Sequence, residues 1–225
     1  DALQLKNLEK KGPSQLTVEK EDHNVVVRIS STFRSPKNAG FDEVQSWKID
    51  GAGRIEVIES VTPAGELGEG VWIPRMGLRF QLSRDLEQVV YYGKGPHGNY
   101  NDRSYGAWTA VHKAEVKDHF VHYGKPQDHG NREAVRWMKL TRADGIGLKI
   151  VAPEPLAMCV LPYTQEELRK AKHTADLPTP SVTELRIAAA VSGVGNGSCG
   201  KPTREEYRAL SAPVEYRFFL IPLKK

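Results

Sequence analysis

Histidines are the residues whose type and spacing first suggest chemistry in this sequence. Five of the seven lie in a stretch rich in Tyr, Asp and Gly: His97, His112, His119, His122 and His129. His119 and His122 are three residues apart, which on a helix would place both on one face for a metal ion. The residues between and after them, Phe-Val and Tyr-Gly, are more typical of a strand or loop. The spacing therefore does not predict a metal site.

The other reactive groups are a serine–cysteine pair and many carboxylates. Ser198 and Cys199 lie in the run GVGNGSCG, which resembles only superficially the G-x-S-x-G turn that presents a nucleophilic serine. Retaining cleavage of a glycosidic bond needs two carboxylates about 5 to 5.5 Å apart, and the sequence singles out no such pair. We assign no catalytic residue in this chain. Cys159 is expected to be a buried, inert thiol in an apolar run.

Composition predicts a soluble globular protein. The chain has 225 residues, of which 39% are hydrophobic and 27% charged, and no apolar run approaches the ~20 residues that cross a bilayer. The 32 Lys and Arg only slightly outnumber the 28 Asp and Glu and are spread along the chain, so nucleic-acid binding is not favoured. The chain begins with Asp1 and no secretion signal, so we expect it to derive from a longer polypeptide. The sequence does not indicate its compartment.

The elements that must position any site are β-strands. Alternation of apolar and polar residues predicts half-buried strands at residues 25–29, 54–61, 76–82, 135–140 and 182–188. Residues 214–222 predict a final strand that is buried on both faces. Glycine-rich turns separate these runs, and strands this numerous favour antiparallel sheets.

Two short helical segments are also predicted. Thr164 and Glu167 form a T-x-x-E capping box at the start of a helix over residues 164–171. A second such box, Thr203 to Glu206, predicts a shorter helical turn. Residues 99–130 form the most irregular stretch, and long loops of this kind often carry function.

Four motifs, taken in order, resemble the C-terminal small-chain domain of β-galactosidases in glycoside hydrolase family two. Residues 73–78, IPRMGL, resemble the family's "(L/I)-P-R-x-G", and residues 93–103, GKGPHGNYNDR, resemble "G-x-G-P-x-E-x-Y-x-D-R". Residues 126–132, PQDHGNR, followed by VRW, resemble "P-Q-E-N-G-N-R … V-R-W". Residues 162–168, PYTQEEL, with His173 and residues 193–200 resemble "Y-(S/T)-x-x-x-L … H" and "G-x-G-(G/N)-x-S-(W/C)-(G/S)". Gly98, Asp128 and His129 depart from the pattern, replacing Glu, Glu and Asn.

The resemblance implies an all-β antiparallel supersandwich, related to galactose mutarotases, with one or two short helices. Residues 1–225 would form a single C-terminal domain with its N-terminal strands missing, since the family's domain begins with a further stretch ending near "R-A-P-T-D-N-D". The two catalytic glutamates of the intact enzyme lie on a separate (β/α)₈ barrel. The implied partners are therefore that barrel, a β-galactoside substrate and further copies in a homo-oligomer. Bound Mg²⁺ or Na⁺ is implied for the intact enzyme, with no ligand set identifiable here.

The resemblance also assigns loop residues to the wall of the sugar pocket: Asn196, Ser198, Cys199, Asp128, His129 and Asn131. Cys199 stands where the family often has a Trp on which sugar stacks, so we expect weaker stacking and room for a different aglycone. A tight turn with an incidental thiol is the alternative. Tyr100, Asp102 and Arg103 are interpreted as structural, an Asp–Arg pair and a ring that fix a long loop. Trp72, Trp108 and Trp137 are expected in the core.

Two other functions remain open at this point. A mutarotase-like epimerase would use a His acid and a Glu base, for which His97, His122 and Glu133 are available. An autonomous carbohydrate-binding module would need an exposed row of aromatic rings on a sheet face or in a cleft.

Overall fold

In a computed structural model, which describes residues 2–196 and 200–224, almost all regular structure is β-strand. One short α-helix, α1, spans Gln165–Lys170, and 3₁₀ turns occur at Leu5–Asn7, Val116–His119, Thr174–Asp176 and Glu205–Tyr207. The strands are β1 Glu9–Lys10, β2 Gln15–Glu21, β3 Asn24–Arg34, β4 Ala39–Ile49, β5 Ile55–Gly65, β6 Trp72–Ile73, β7 Arg75–Ser83, β8 Gln88–Gly95, β9 Trp108–Glu115, β10 Asn131–Thr141, β11 Gly147–Leu161, β12 Val182–Val191, β13 Ala209–Leu210 and β14 Val214–Leu223. None of the described helices is long and apolar enough to cross a membrane.

The strands form an antiparallel, sandwich-like sheet that divides at β11. The order runs β1-β3-β4-β5-β14-β11-β10-β8-β9, with β2 also paired to β3, and β12 and β7 branching from β11. The first half of β11, Gly147 to Val151, pairs with β14, whereas its last five residues pair with β12. Pro153 and Pro155 lie between the two halves, where a residue without an N–H cannot continue a ladder. The expected all-β antiparallel fold is confirmed.

The core lies between the β5–β14 part of the sheet and the β7–β12 branch. The Phe80 ring of β7 contacts Trp47 of β4 and Phe218 of β14 edge to face, with ring centroids 6.2 Å apart in both pairs. Residues at alternate positions of β10, β11 and β12 fill the space between, including Met138, Leu140, Ile150, Leu185 and Ile187, all fully buried. The strands predicted from alternation are all present, because period-two burial is the pattern that the sequence shows.

Helix α1 is capped as predicted. Glu167 N–H donates to Thr164 Oγ1 at 3.2 Å, and Thr164 N–H donates to Glu167 Oε2 at 2.7 Å. The prediction of a second capping box, from Thr203 to Glu206, is wrong, although a 3₁₀ turn does form at Glu205–Tyr207. Thr203 Oγ1 instead donates to Gly193 O at 2.9 Å, so its side chain holds the glycine-rich loop.

The stretch from residue 99 to 130 is less irregular than its sequence indicates. It contains strand β9, Trp108–Glu115, which pairs with β8 along its full length. Strand β9 lies at one end of the sheet and buries little of either face. Polar residues therefore occur on both of its faces, and the sequence lacks the apolar–polar alternation that predicts a strand.

A carboxyl group, Glu59, is buried on the inner face of β5. Its side chain is 1% exposed, and its Oε2 atom has no hydrogen-bond partner among the described residues. Burial, a hydrogen bond with Glu43 and the negative charge of Glu43 raise the pKa of Glu59 to about 10. The folded chain therefore keeps a proton on Glu59 at neutral pH.

Glu59→Gln is expected to remove a pH dependence of stability. Above pH 4.5 the unfolded chain loses the Glu59 proton while the folded chain retains it up to about pH 10, so the free energy of unfolding falls as pH rises. The contribution to the slope is at most about 1.4 kcal/mol per pH unit. Urea unfolding between pH 6 and 9 should give a flatter profile for Glu59→Gln than for the native chain. The exposed control Glu154→Gln should keep the native slope, and equal slopes in all three proteins would contradict this assignment.

Candidate functional site

Two arginines hold the carboxylate of Asp128. Arg75 Nη2 donates to Asp128 Oδ2 at 3.0 Å, and Arg186 Nη1 donates to Asp128 Oδ1. Burial disfavours the charged form, but Arg75 and Arg186 outweigh it and hold the pKa of Asp128 below its ordinary value. The Asp128 side chain stays 40% exposed, whereas that of Arg186 is 3% exposed. Asp128 therefore presents an ionised carboxylate that can only accept hydrogen bonds.

A series of neighbouring charged side chains leads from Arg186 to helix α1. Arg186 Nε lies 3.3 Å from Glu184 Oε1, and Glu184 is fully buried. Burial raises the pKa of Glu184, against the lowering effect of Arg186 and Arg79. Arg79 donates to both carboxylate oxygens of Glu166, in the first turn of α1, at 2.7 Å. This network fixes β7, β12, α1 and the segment that carries Asp128 relative to one another.

Two asparagines join the second and third motifs. Asn131 Nδ2 donates to Asn99 O at 3.0 Å and to Glu133 Oε1 at 2.5 Å. Asn99, 1% exposed, accepts from Glu133 N–H through its side-chain oxygen and donates to Lys94 O and His97 O. Burial raises the pKa of Glu133. Both Asn99 and Asn131 are buried, so their amides position backbone in the structure of this chain.

His129 is buried with both ring nitrogens engaged. Its Nδ1 lies 2.7 Å from Gln127 O, and its Nε2 accepts from Val121 N–H at 3.0 Å. This pattern requires a neutral ring that carries its proton on Nδ1, and burial lowers the pKa of His129 accordingly. Gly130, next in the chain, has φ of +83°, a left-handed conformation that glycine adopts readily. The Cys159 thiol is buried, as expected, and donates to His129 O at 3.2 Å.

Asp102 and Arg103 hold the glycine-rich loop that follows β12. Asp102 accepts from Val194 N–H at 3.1 Å and Gly195 N–H at 2.7 Å, and Arg103 donates to Gly195 O at 3.2 Å. No ion pair joins Asp102 to Arg103, although both residues are described. Residues of the second motif thus form hydrogen bonds with residues of the fourth motif. Tyr100 forms an isolated bridge with Arg103, and burial raises the pKa of its phenol.

A surface groove of about 780 Å³ lies beside this loop. Its described lining runs from Asp102 across Gly195 and Asn196 to the segment between Lys201 and Arg208. Asn196 is exposed there. Ser198 and Cys199, the other loop residues expected at the sugar pocket, lie outside the described residues.

None of the described histidines lines this groove. His97 and His122 are exposed, and neither these two nor Glu133 is among the described residues that line the groove. His119 is buried, and desolvation is the main cause that lowers its pKa to about 3. In residues 2–196 and 200–224, no cluster of three or more His, Cys, Asp or Glu side chains is arranged to hold a metal ion.

The tryptophans are less buried than expected. The prediction that Trp72 and Trp108 lie in the core is wrong, since they are 45% and 60% exposed. Trp72 lies in the two-stranded β6–β13 sheet, where its ring is covered by Arg208 and its Nε1–H donates to Ser192 Oγ. Trp137 is half-buried on the outer sheet face, between the ammonium groups of Lys139 and Lys149, 5.8 and 5.7 Å from its ring centre.

The role of Arg186 was missed in the sequence. Its position on a strand that alternates suggests a solvent-facing side chain. The segment that carries Asp128 and the helix α1 cover that face of β12, and so Arg186 is buried. A signal was nevertheless present, because Glu184 and Arg186 are opposite charges two residues apart and therefore share a strand face.

Comparisons with known proteins agree with the four motifs. The family model described as "Beta galactosidase small chain" matches residues 2–220. The β-galactosidase of Halalkalibacterium halodurans is 36% identical over 160 residues, covering 70% of this chain and 16% of the relative. That of Actinobacillus pleuropneumoniae is 31% identical over 176 residues, covering 78% of this chain and 17% of the relative.

A third relative, the β-galactosidase of Lactobacillus delbrueckii subsp. bulgaricus, is 33% identical over 183 residues and covers 80% of this chain and 18% of its own length. The chain thus spans less than a fifth of the length of these curated relatives. Since the family model covers nearly the whole sequence, and the motifs that carry the resemblance meet in the fold, this chain belongs to the β-galactosidase small-chain family.

Proposed function

We propose that this chain is a non-catalytic domain of a β-galactosidase, and that its motif-bearing loops form part of the wall of the sugar pocket in the intact enzyme. The observation that carries the proposal is convergence. Segments separated by up to about a hundred residues meet through Arg75 with Asp128, Asn99 with Asn131, and Asp102 with Gly195. The catalytic carboxylates then belong to the part of the enzyme outside this chain.

Among residues 126–132 of the third motif, which we call the Asp128 segment, Asp128 is the residue best suited to contact a sugar. It is exposed and ionised, and carboxylate oxygens are strong acceptors for the hydroxyl groups of a galactoside. The two arginines fix its orientation, so little conformational entropy is lost when a sugar hydroxyl binds. His129 and Asn131 stabilise the proposed wall and do not contact the sugar, since their polar atoms already form hydrogen bonds within the chain.

The loop of residues 193–200 forms the second part of the proposed wall. Asn196 lines the groove, where its amide can donate to and accept from sugar hydroxyls. For Ser198 and Cys199 we propose a small, polarizable surface in place of an aromatic platform, which leaves room for the aglycone. Asp102 and Arg103 of the neighbouring motif hold Val194 and Gly195 at the start of this loop.

Hydrolysis of a chromogenic β-galactoside tests the central claim. The intact enzyme is expected to release the chromophore, and the 225-residue chain alone is expected to release none above the uncatalysed rate. Circular dichroism of the chain alone serves as the control that it is folded. Turnover by the folded chain would place a catalytic pair within these residues and overturn the proposal.

Asp128→Asn in the intact enzyme should lower kcat/KM for β-galactosides by about tenfold or more. The substitution removes an ionic acceptor and leaves the charges of Arg75 and Arg186 unbalanced. Asp128→Glu restores the carboxylate and should recover most of the activity. Glu154→Gln, which removes an exposed carboxylate from β11, should leave the kinetics unchanged. If Asp128→Asn matches Glu154→Gln, Asp128 does not contribute to the pocket.

A further inference from the structure

Three aromatic rings lie in one row across the outer face of the sheet. The row takes one residue from each of four neighbouring strands, which are Tyr92 of β8, Trp137 of β10, Val151 of β11 and Phe219 of β14. Their chain neighbours belong to the buried core: Tyr91, Met138, Ile150 and Phe218. Successive side chains of a strand point to opposite faces, so the row lies on the face that points away from the core.

The central ring, that of Trp137, lies beside two lysines. The ammonium groups of Lys139 and Lys149 are 5.8 and 5.7 Å from its centre. The two lysines are directly opposite each other on β10 and β11, and like charges in that arrangement destabilise a sheet. The electron-rich face of the indole attracts both ammonium groups but leaves their charge in place. Neither lysine forms an ion pair with a described carboxylate.

Two further cations extend this surface toward the edge strand β9. The guanidinium carbon of Arg136 lies 5.5 Å from the ring centre of Tyr92. Lys113 of β9 is opposite Val90 of β8, which is opposite Lys139, so Lys113 continues the row of lysines. Arg136 and Lys113 are exposed, and among the described residues neither pairs with a carboxylate.

The other half of the outer face, on β2 to β5, has paired charges. Arg28 forms an ion pair with Glu19, and Lys48 forms one with Glu21. Unpaired positive charge is therefore concentrated beside the aromatic rings of β8 and β10. We call this part of the sheet the cationic face: Tyr92, Lys113, Arg136, Trp137, Lys139 and Lys149.

The cationic face offers apolar contact and positive charge side by side. A sugar unit that carries a carboxylate matches both features, because the C–H groups of its ring pack on an aromatic side chain while the carboxylate pairs with an ammonium or guanidinium group. The four strands from β9 to β11 are about 4.8 Å apart, so the face is about 14 Å wide. That width accommodates consecutive units of an extended chain.

We propose that the cationic face binds an acidic polysaccharide, a chain of carboxylate-bearing sugar units. This site is separate from the proposed wall of the galactoside pocket, since none of its residues is among the described residues that line the groove beside Asn196. Binding there would hold the enzyme close to a polymer without any contact between that polymer and the catalytic carboxylates. The inference therefore goes beyond the proposed function.

Two other classes of anionic partner fit the face less well. Single-stranded nucleic acid binds to sheets by stacking bases on free aromatic faces, whereas Tyr92 and Trp137 are half-buried and have cations over their rings. The formal net charge of the whole chain is also only +4. An acidic peptide would pair with the cations but would not supply ring C–H groups to the aromatic side chains.

Binding of polygalacturonate to the intact enzyme, measured by calorimetry, tests the proposal. Polygalacturonate should bind at least tenfold more tightly than neutral galactan, and added salt should weaken its binding. Lys139→Gln with Lys149→Gln should lower the affinity at least tenfold. The matched control is Lys170→Gln with Lys172→Gln, which removes two exposed charges near helix α1 and should keep the native affinity.

Tryptophan fluorescence supplies a second readout that follows the ring itself. Polygalacturonate should change the fluorescence of the native enzyme, and this change should be lost in Trp137→Phe, which keeps an aromatic ring at the same position. Circular dichroism of each variant serves as the control that it is folded.

Four outcomes would overturn the proposal. These are equal loss of affinity in both lysine pairs, an unchanged fluorescence response in Trp137→Phe, binding of oligo(dT) or polyglutamate as tight as that of polygalacturonate, and binding by the 225-residue chain but not by the intact enzyme. The last would mean that another part of the enzyme covers the face. Hydrolysis of a small chromogenic galactoside should be unchanged in Lys139→Gln with Lys149→Gln, so failure of this inference leaves the proposed function standing.

Discussion

The architecture depends on a single strand, β11, serving two layers at once. Its first half pairs with β14 and its last residues pair with β12, and between them two prolines remove the N–H groups that a continuous ladder would need. On its other side, β10 pairs with both halves through register shifts near Val135. The shifts let one strand pair turn from one layer to the other, because an irregular register bends the strand and increases its twist. The two layers can enclose one core because β11 is a strand of both layers.

This division also brings the motifs together. Asn131 and Arg132 at the start of β10 pair with the second half of β11, beside the β12–β7 branch that carries Arg186 and Arg75. The segment before β10 therefore passes over the outer face of that branch, where Asp128 meets both arginines. Asp128 stays ionised although it is partly buried, because the guanidinium groups of Arg75 and Arg186 lie beside it and lower its pKa.

Polar and apolar surfaces are also unevenly distributed between the two ends of the sheet. The β7–β12 branch is covered on its outer face by helix α1 and the Asp128 segment, and Arg186 and Glu184 are buried there. At the β2 end, apolar side chains stay exposed on an inner face that nothing in the described chain covers. Exposed apolar faces of this kind mark contact surfaces. The uncovered inner face at the β2 end therefore agrees with a chain that is one domain of a larger protein.

The sequence alone determined the class of fold, the positions of most strands and the family. Period-two alternation encodes strands directly, the Thr164–Glu167 box encodes a helix start, and four ordered motifs identify the family, because each is a local pattern of side chains. Tertiary structure decided which residues of those motifs are accessible. It buried His129 and Asn131, left Asp128 exposed, and turned Asp102 and Arg103 toward the glycine-rich loop and not toward each other. It also paired Arg186 with a carboxylate 58 positions away. Such pairings follow from the division of β11 and from sheet register, and residues far apart in the chain carry no local signal of either.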